Sequence, residues 1–165
     1  MRLSTRGRYA VMAMVELAAR QEAMPPAPAG RPSPPVSLAE IAAAQMLSLA
    51  YLEQLFGPLR RAGLVASARG PGGGYRLARP AREIAISAIV DAVDEPIRAT
   101  RCEEGAPGCL AGRRCLTHDL WAELGEQIRL FLAGVTLEDV VRGEVTGRAQ
   151  EPGSALAAPK AWTGA

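Results

Sequence analysis

The stretch from Ser37 to Leu77 leaves a chain of this kind the least freedom. Ser37-Leu38-Ala39-Glu40 has the pattern of a capping box. In that motif the serine oxygen accepts the third helical N–H and the glutamate reaches back to the serine N–H. A helix therefore starts here, and Leu38 and Ile41, facing inward, carry it to about Ala44. Gln45–Leu47 reads as a turn. Ser48 is the N-cap of a second helix, whose Leu49, Leu52, Leu55, Phe56 and Leu59 recur at helical spacing. Gly63 stands where that helix needs a left-handed residue to stop. Two short helices joined by three residues make a helix-turn-helix. Leu64–Arg69 and Tyr75–Leu77 then read as strands on either side of Gly70-Pro71-Gly72-Gly73-Gly74, the hairpin wing of a winged helix. The same glycines would cradle a phosphate if a helix N-terminus followed, but Tyr75-Arg76-Leu77 and then Pro80 follow instead. Pro58 removes an N–H and crowds the carbonyl of Gln54, which predicts a kink or break near Gly57.

The flanks follow from periodicity. Residues 7–23 read as a helix with Tyr9, Met12, Ala13 and Leu17 on its apolar face. Met24–Pro35 holds six prolines and is a connector, neither helix nor ladder strand. A further helix reads up to Val93, beginning close to Ser87, with Ile86, Ile89, Val90 and Val93 apolar. Thr117 reads as the N-cap of a longer helix, along which Leu120, Trp121, Leu124, Ile128, Phe131 and Leu132 recur at intervals of three or four. Such a stripe is core against the first helix, a dimer interface, or each in different parts. Thr136-Leu137-Glu138-Asp139 opens a last short helix to about Arg142, and the chain from Gly147 reads as a disordered tail. The expected fold is mainly α with a small β-hairpin wing.

Between the last two long helices lies Cys102 to His118, which holds all three cysteines and the only histidine, spaced Cys-x6-Cys-x5-Cys-x2-His. Thiolate sulfur and neutral imidazole are ligands of zinc and of iron–sulfur centres. By spacing alone both remain open, as does metal-free thiol sensing. An odd number of cysteines suits metal or redox chemistry better than a disulfide framework. No run of about 18 apolar residues suggests a membrane span, and Glu16 interrupts the apolar N-terminal run, so the reading is a cytoplasmic protein with no membrane partner. The domains expected are a winged helix-turn-helix over 1–82 (connector at 24–35), a cluster-binding loop and dimerisation helix over 83–146, and a tail over 147–165.

Charge divides the chain along the same line. Residues 1–82 carry 11 Arg against 4 Glu, net +7, while residues 83–165 carry 7 Arg and one Lys against 13 acids, net −5. An Arg-rich first half suits double-stranded DNA. The second helix of a helix-turn-helix enters the major groove N-terminus first. Ser48, Ala50, Tyr51, Glu53 and Gln54, off the apolar stripe, are then the residues that face bases. Gln54 can pair with adenine, Glu53 can accept from cytosine, and Ser48 can reach base or phosphate. Arg60 and Arg61 suit phosphate, and Arg69 at the wing base suits a narrow minor groove. No catalytic dyad or nucleotide loop is evident, so an enzyme is not expected; an iron–sulfur electron carrier would leave the winged helix without a purpose.

MRLSTRGRYAVMAMVELA, SLAYLEQLFGPLRRAGLV and ARGPGGGYRLARP resemble the IscR-like family of bacterial winged-helix transcription regulators, over Met1 to about Val145. The resemblance implies a homodimer built on the long helix after the cysteines, with Leu120, Trp121, Leu124, Ile128 and Phe131 at its interface. It implies a 2Fe–2S cluster on Cys102, Cys109, Cys115 and His118, with zinc as the alternative, and DNA contacts at Ser48, Tyr51, Gln54 and Arg69, Glu53 tuning site choice. The chain departs from the family in having six rather than five residues between Cys102 and Cys109. Ala50 replaces a usual serine, and Met46 fills a turn position often held by Gly. A nitric-oxide-sensing branch uses an N-terminal Asp as fourth ligand; Arg8 argues against that branch.

Overall fold

The computed structural model describes residues 5–25, 32–70, 72–93 and 116–145. The cysteines, residues 26–31 of the connector and the tail from residue 146 lie outside them. The elements are α1 (Thr5–Ala23), α2 (Leu38–Gln45), α3 (Leu49–Arg61), β1 (Val65–Ala68), β2 (Gly74–Leu77), α4 (Ile86–Val93), α5 (His118–Gly134) and α6 (Leu137–Arg142), with a 3-10 turn at Ala81–Glu83.

α1 is the central post. It buries Ala10, Ala13, Met14, Leu17 and Ala18, and these mostly small side chains let several elements approach one helix closely. The buried face is therefore centred one step from the one expected: Tyr9 and Met12 are only half-buried. α2, α3, β2, α4 and α6 all pack on α1. One core gathers Met14, Leu17, Ile41, Leu52, Phe56 and Ile89 with Val135 and Leu137 from the end of the chain. Its buried residues thus come from both sides of residue 82.

The helix-turn-helix forms as its caps dictate. Ser37 Oγ accepts the Glu40 N–H, and the Glu40 carboxylate accepts the Ser37 N–H at 2.9 Å. α2 ends at Met46, whose backbone is left-handed (φ 52°). Ser48 caps α3 by accepting the Tyr51 N–H at 3.1 Å. Beyond Arg61, Ala62 ends the helix and Gly63 follows at φ 68°. Leu52, Leu55, Phe56 and Leu59 are buried, but Leu49 is 44% exposed. It sits in the first turn, past the edge of the core, and does not join the stripe as expected. Pro58 does not break α3 either, which continues to Arg61. A proline disfavours the helical conformation of its predecessor partly through that residue's Cβ, and the predecessor here is Gly57.

β1 and β2 pair antiparallel in the register Val65↔Leu77 to Ala68↔Gly74. Sequence patterning did not foresee that Val36, at the end of the connector, joins them. Its N–H donates to the Tyr75 carbonyl and its carbonyl accepts the Tyr75 N–H, both at 2.8 Å. The approach is so close that a Cβ on Gly74 would lie 2.2 Å from the Val36 carbonyl oxygen. A second short bridge, Ala85↔Thr136, ties the segment before α4 to the segment after α5. Thr136 opens α6 with a second capping box, its oxygen accepting the Asp139 N–H.

α5 packs on α4, and Leu132 reaches the core. The expected packing against α1 is thus made through α4, which lies on α1. Leu120 (61%), Trp121 (42%) and Phe131 (45%) are exposed, while Leu124 and Ile128 are half-buried. Thr117 stands at the N-cap position of α5 but makes no side-chain capping bond, because its backbone (φ −96°, ψ 4°) lacks the extended conformation that aims an N-cap oxygen inward.

Candidate functional site

The outer face of α3 follows from its inner one. With Leu52, Leu55, Phe56 and Leu59 turned to the core, the 3.6-residue period leaves Ala50, Glu53, Gln54, Arg60 and Arg61 exposed. Ser48 is exposed as well. Its oxygen is used in capping, yet its hydroxyl proton can still donate to a phosphate or base edge. Tyr51 is half-buried, and its ring meets Tyr9 edge-on, centroids 5.9 Å apart. That contact stiffens the start of α3 against α1. Nothing in the spacing of either tyrosine signalled it, since residues 42 apart pair only through the fold.

The wing stands beside this face. Phe56 of α3 meets the ring of Tyr75 of β2 at 4.8 Å, so the recognition helix and the hairpin share an aromatic joint. Arg69 follows β1 and is exposed at the turn of the hairpin. A Cβ on Gly73 would lie 2.6 Å from the Ala68 carbonyl oxygen, so the tight wing turn requires glycine there. The structure thus brings Ser48, Glu53, Gln54 and Arg60 together on one exposed helix and sets Arg69 on the adjoining wing.

The second candidate site is only partly described. Cys102, Cys109 and Cys115 lie outside the described residues. His118 is the first residue of α5 and half-buried. Among the described residues no group of three His, Cys, Asp or Glu side chains could hold a metal ion. The Gly134 end of α5 is held by the Ile86 N–H to Val135 carbonyl bond at 2.9 Å. His118 stands at the opposite end, about 24 Å along the helix axis.

The titratable groups with shifted pKa values belong to structure rather than to either site. The Ser37 hydroxyl and N–H hold the Glu40 carboxyl below its usual range. The Thr136 N–H, followed by its hydroxyl, does the same for Asp139. On α5 the Arg129 guanidinium lowers Glu126. Among the described residues no helix is long and apolar enough to cross a membrane.

Set beside known proteins, residues 3–143 match the family described as Rrf2, iron-dependent transcriptional regulator. Two relatives are each named HTH-type transcriptional regulator IscR. The one from Serratia proteamaculans (strain 568) is 50% identical over 144 residues, and that from Yersinia pestis 49% over 144 residues. Each match covers 87% of this chain and 81% of the relative. Among solved structures, CymR (YrzC), described as the global cysteine regulator of B. subtilis, superposes with a TM-score of 0.69 at 33% identity, covering 87% of this chain and 98% of that one. T. potens IscR superposes at 0.66, also 33% identical, covering 87% and 88%. With its helix-turn-helix, its wing and a match along nearly its whole length, the chain is a DNA-binding transcription regulator and belongs to the Rrf2 family of iron-dependent transcriptional regulators.

Proposed function

We propose that the chain is a cytoplasmic homodimer that reads double-stranded DNA with α3 and the wing, and whose choice of site is set by a 2Fe–2S cluster held by Cys102, Cys109, Cys115 and His118. The observation that carries this reading is where the Cys102–His118 stretch falls in the fold. The segment that carries it joins α4 (ending at Val93), which packs on both α1 and α3, to α5, which packs back on α4. A change in that stretch therefore bears on helices that touch the DNA-reading unit. Three thiols and one imidazole form a donor set of the right chemistry for an iron–sulfur centre, and the iron dependence in the family's description supports iron over zinc. When bound, the cluster would supply a redox-active, labile centre.

The remaining roles belong to the chain's own residues. Gln54 pairs with adenine, Glu53 accepts from cytosine and tunes site choice, and Ser48 and Tyr51 donate hydroxyl protons at the groove edge. Arg60 meets phosphate and Arg69 enters the minor groove. In the dimer, Leu120, Trp121, Leu124, Ile128 and Phe131 of α5 face the same helix of a second copy. Residues 1–82 thus read DNA while 83–146 carry sensing and dimerisation. The protein works without catalysing a reaction.

Anaerobic purification followed by an absorbance spectrum and iron, sulfide and zinc analysis tests the cluster. The expected result is visible absorbance with iron and acid-labile sulfide near 1:1, lost in Cys109→Ala together with a changed DNA site preference. A colourless protein with stoichiometric zinc would replace the cluster with structural zinc. A metal-free protein whose DNA binding responds to oxidant would place it with thiol-based regulators.

A further inference from the structure

A winged helix reads sequence only if two separate pieces, the recognition helix and the wing, meet two grooves at once. Recognition geometry of this kind tolerates misplacement of about 0.5 Å or 10–20°. Apolar packing holds such pieces together but is not directional. Hydrogen bonds are, and here consecutive turns of α1 are hydrogen-bonded to the end of α2, which leads into α3, and to the wing.

Glu16 and Arg20 lie one turn apart on the side of α1 that faces α2. Arg20 Nε donates to Glu16 Oε1 at 2.6 Å, and Gln45 Nε2 donates to Glu16 Oε2 at 2.9 Å. An Arg20 terminal nitrogen lies 3.9 Å from Glu40 Oε1. Glu40 closes the capping box at the start of α2, and Gln45 is the last residue of α2. The Glu16–Arg20 pair therefore touches both ends of α2. Three residues past Gln45 comes Ser48, the cap of α3. Gln21, one residue beyond Arg20, points about 100° away around the helix. Its Oε1 accepts the N–H of Leu77 at 2.8 Å, at the open end of the hairpin that carries Arg69.

We infer that Glu16 and Gln21 are positioning residues for DNA recognition, Glu16 fixing the helix-turn-helix and Gln21 fixing the wing on the same helix. Neither touches DNA in this arrangement; each acts through the element it holds. The inference rests on the proposed reading of DNA by α3 and the wing.

The test uses the full-length protein and two duplexes: one selected by the wild type from a random-sequence pool, and a scrambled version of it. Glu16→Ala, Gln45→Ala and Gln21→Met are each expected to weaken binding to the selected duplex by about tenfold. Binding to the scrambled duplex and its salt dependence should stay at wild-type levels, because no phosphate contact is lost. The Glu16/Gln45 double variant should be no weaker than Glu16→Ala alone, since the bond lost with Gln45 is already gone in that variant. Reselection should flatten base preference at the positions under α3 for Glu16→Ala and at the flanking positions under the wing for Gln21→Met. Equal loss on both duplexes would overturn the inference, as would folded variants that keep wild-type affinity and preference. Should Glu16→Ala fold poorly, the exchange Glu16→Gln with Gln45→Glu restores a carboxylate–amide pair and should recover affinity to within about threefold of wild type. Failure of the exchange to recover would remove Glu16 from the role. A wild type that selects no duplex would instead sink the DNA-reading assignment itself.

Discussion

Ser48 uses one oxygen for two purposes, and its variants can separate them. As the cap of α3 it accepts the Tyr51 N–H, and loss of such a cap costs about 1 kcal/mol. Ser48→Ala should therefore lower the urea midpoint and weaken operator binding together. Ser48→Asp keeps a capping acceptor but sets a negative charge before the phosphates, so it should hold near wild-type stability while losing operator affinity. Equal operator binding by the Asp variant and the wild type would show that Ser48 only caps. Met46 makes the opposite case. Its left-handed backbone strains a residue with a Cβ, and its side chain is 93% exposed, so Met46→Gly should stabilise the fold by ~0.5 kcal/mol in the same denaturation assay. The cap at Ser48 was legible because a serine stands immediately before apolar residues that recur at helical spacing. The left-handed turn was legible as a turn, and its strain only through the resemblance that puts Gly there, since methionine itself carries no signal of positive φ.

At the scale of elements, the hairpin, the capping box at Ser37 and the helix start at Thr136 were readable, because turn glycines and cap residues act locally. The bridge at Val36 was not, since its pairing with Tyr75 joins residues far apart in sequence. Gly74 is where that hidden contact can be tested. Its Cβ-free surface lies against the Val36 carbonyl, so Gly74→Ala should break the bridge and destabilise the protein by about 2–3 kcal/mol. Thermal melting checks this, and a Gly73→Ala control reports on the turn alone. The capping box of α6 carries a pH dependence. The folded pKa of Asp139 is depressed below its ordinary value of 3.8. Its stabilising contribution is therefore fully present above that value and is lost as pH falls through the lower folded one. The melting-temperature gap between wild type and Asp139→Asn should be constant at neutral pH and close below about pH 4. A gap that persists at pH 2 would show that the Asn variant suffers from something other than the lost carboxylate.

For the molecule as a whole, the apolar stripe of α5 is the feature most visible in sequence and least explained by a single chain. Leu132 enters the core, but Trp121, one turn from the start of α5, stays open to solvent. Trp121→Glu should stay folded and sediment near 17.4 kDa, whereas the wild type should sediment at about twice that, as paired α5 helices require. A wild type already monomeric at micromolar concentration would remove the dimer. The donor types between Cys102 and His118 were legible in sequence, but Cys102, Cys109 and Cys115 lie outside the described residues. The connector is the opposite kind of segment. It leaves α1 near Met24, whose N–H bonds back to the Gln21 carbonyl, and it arrives at Val36, stitched to Tyr75 on both sides of its peptide. Because each end is fastened separately, added length between them closes only a longer loop, at about 0.6 kcal/mol per doubling. The connector thus becomes a convenience for the experimenter: a fluorescent protein spliced in after Ala29 would report where the regulator sits in a living cell while both fastened ends stay in place.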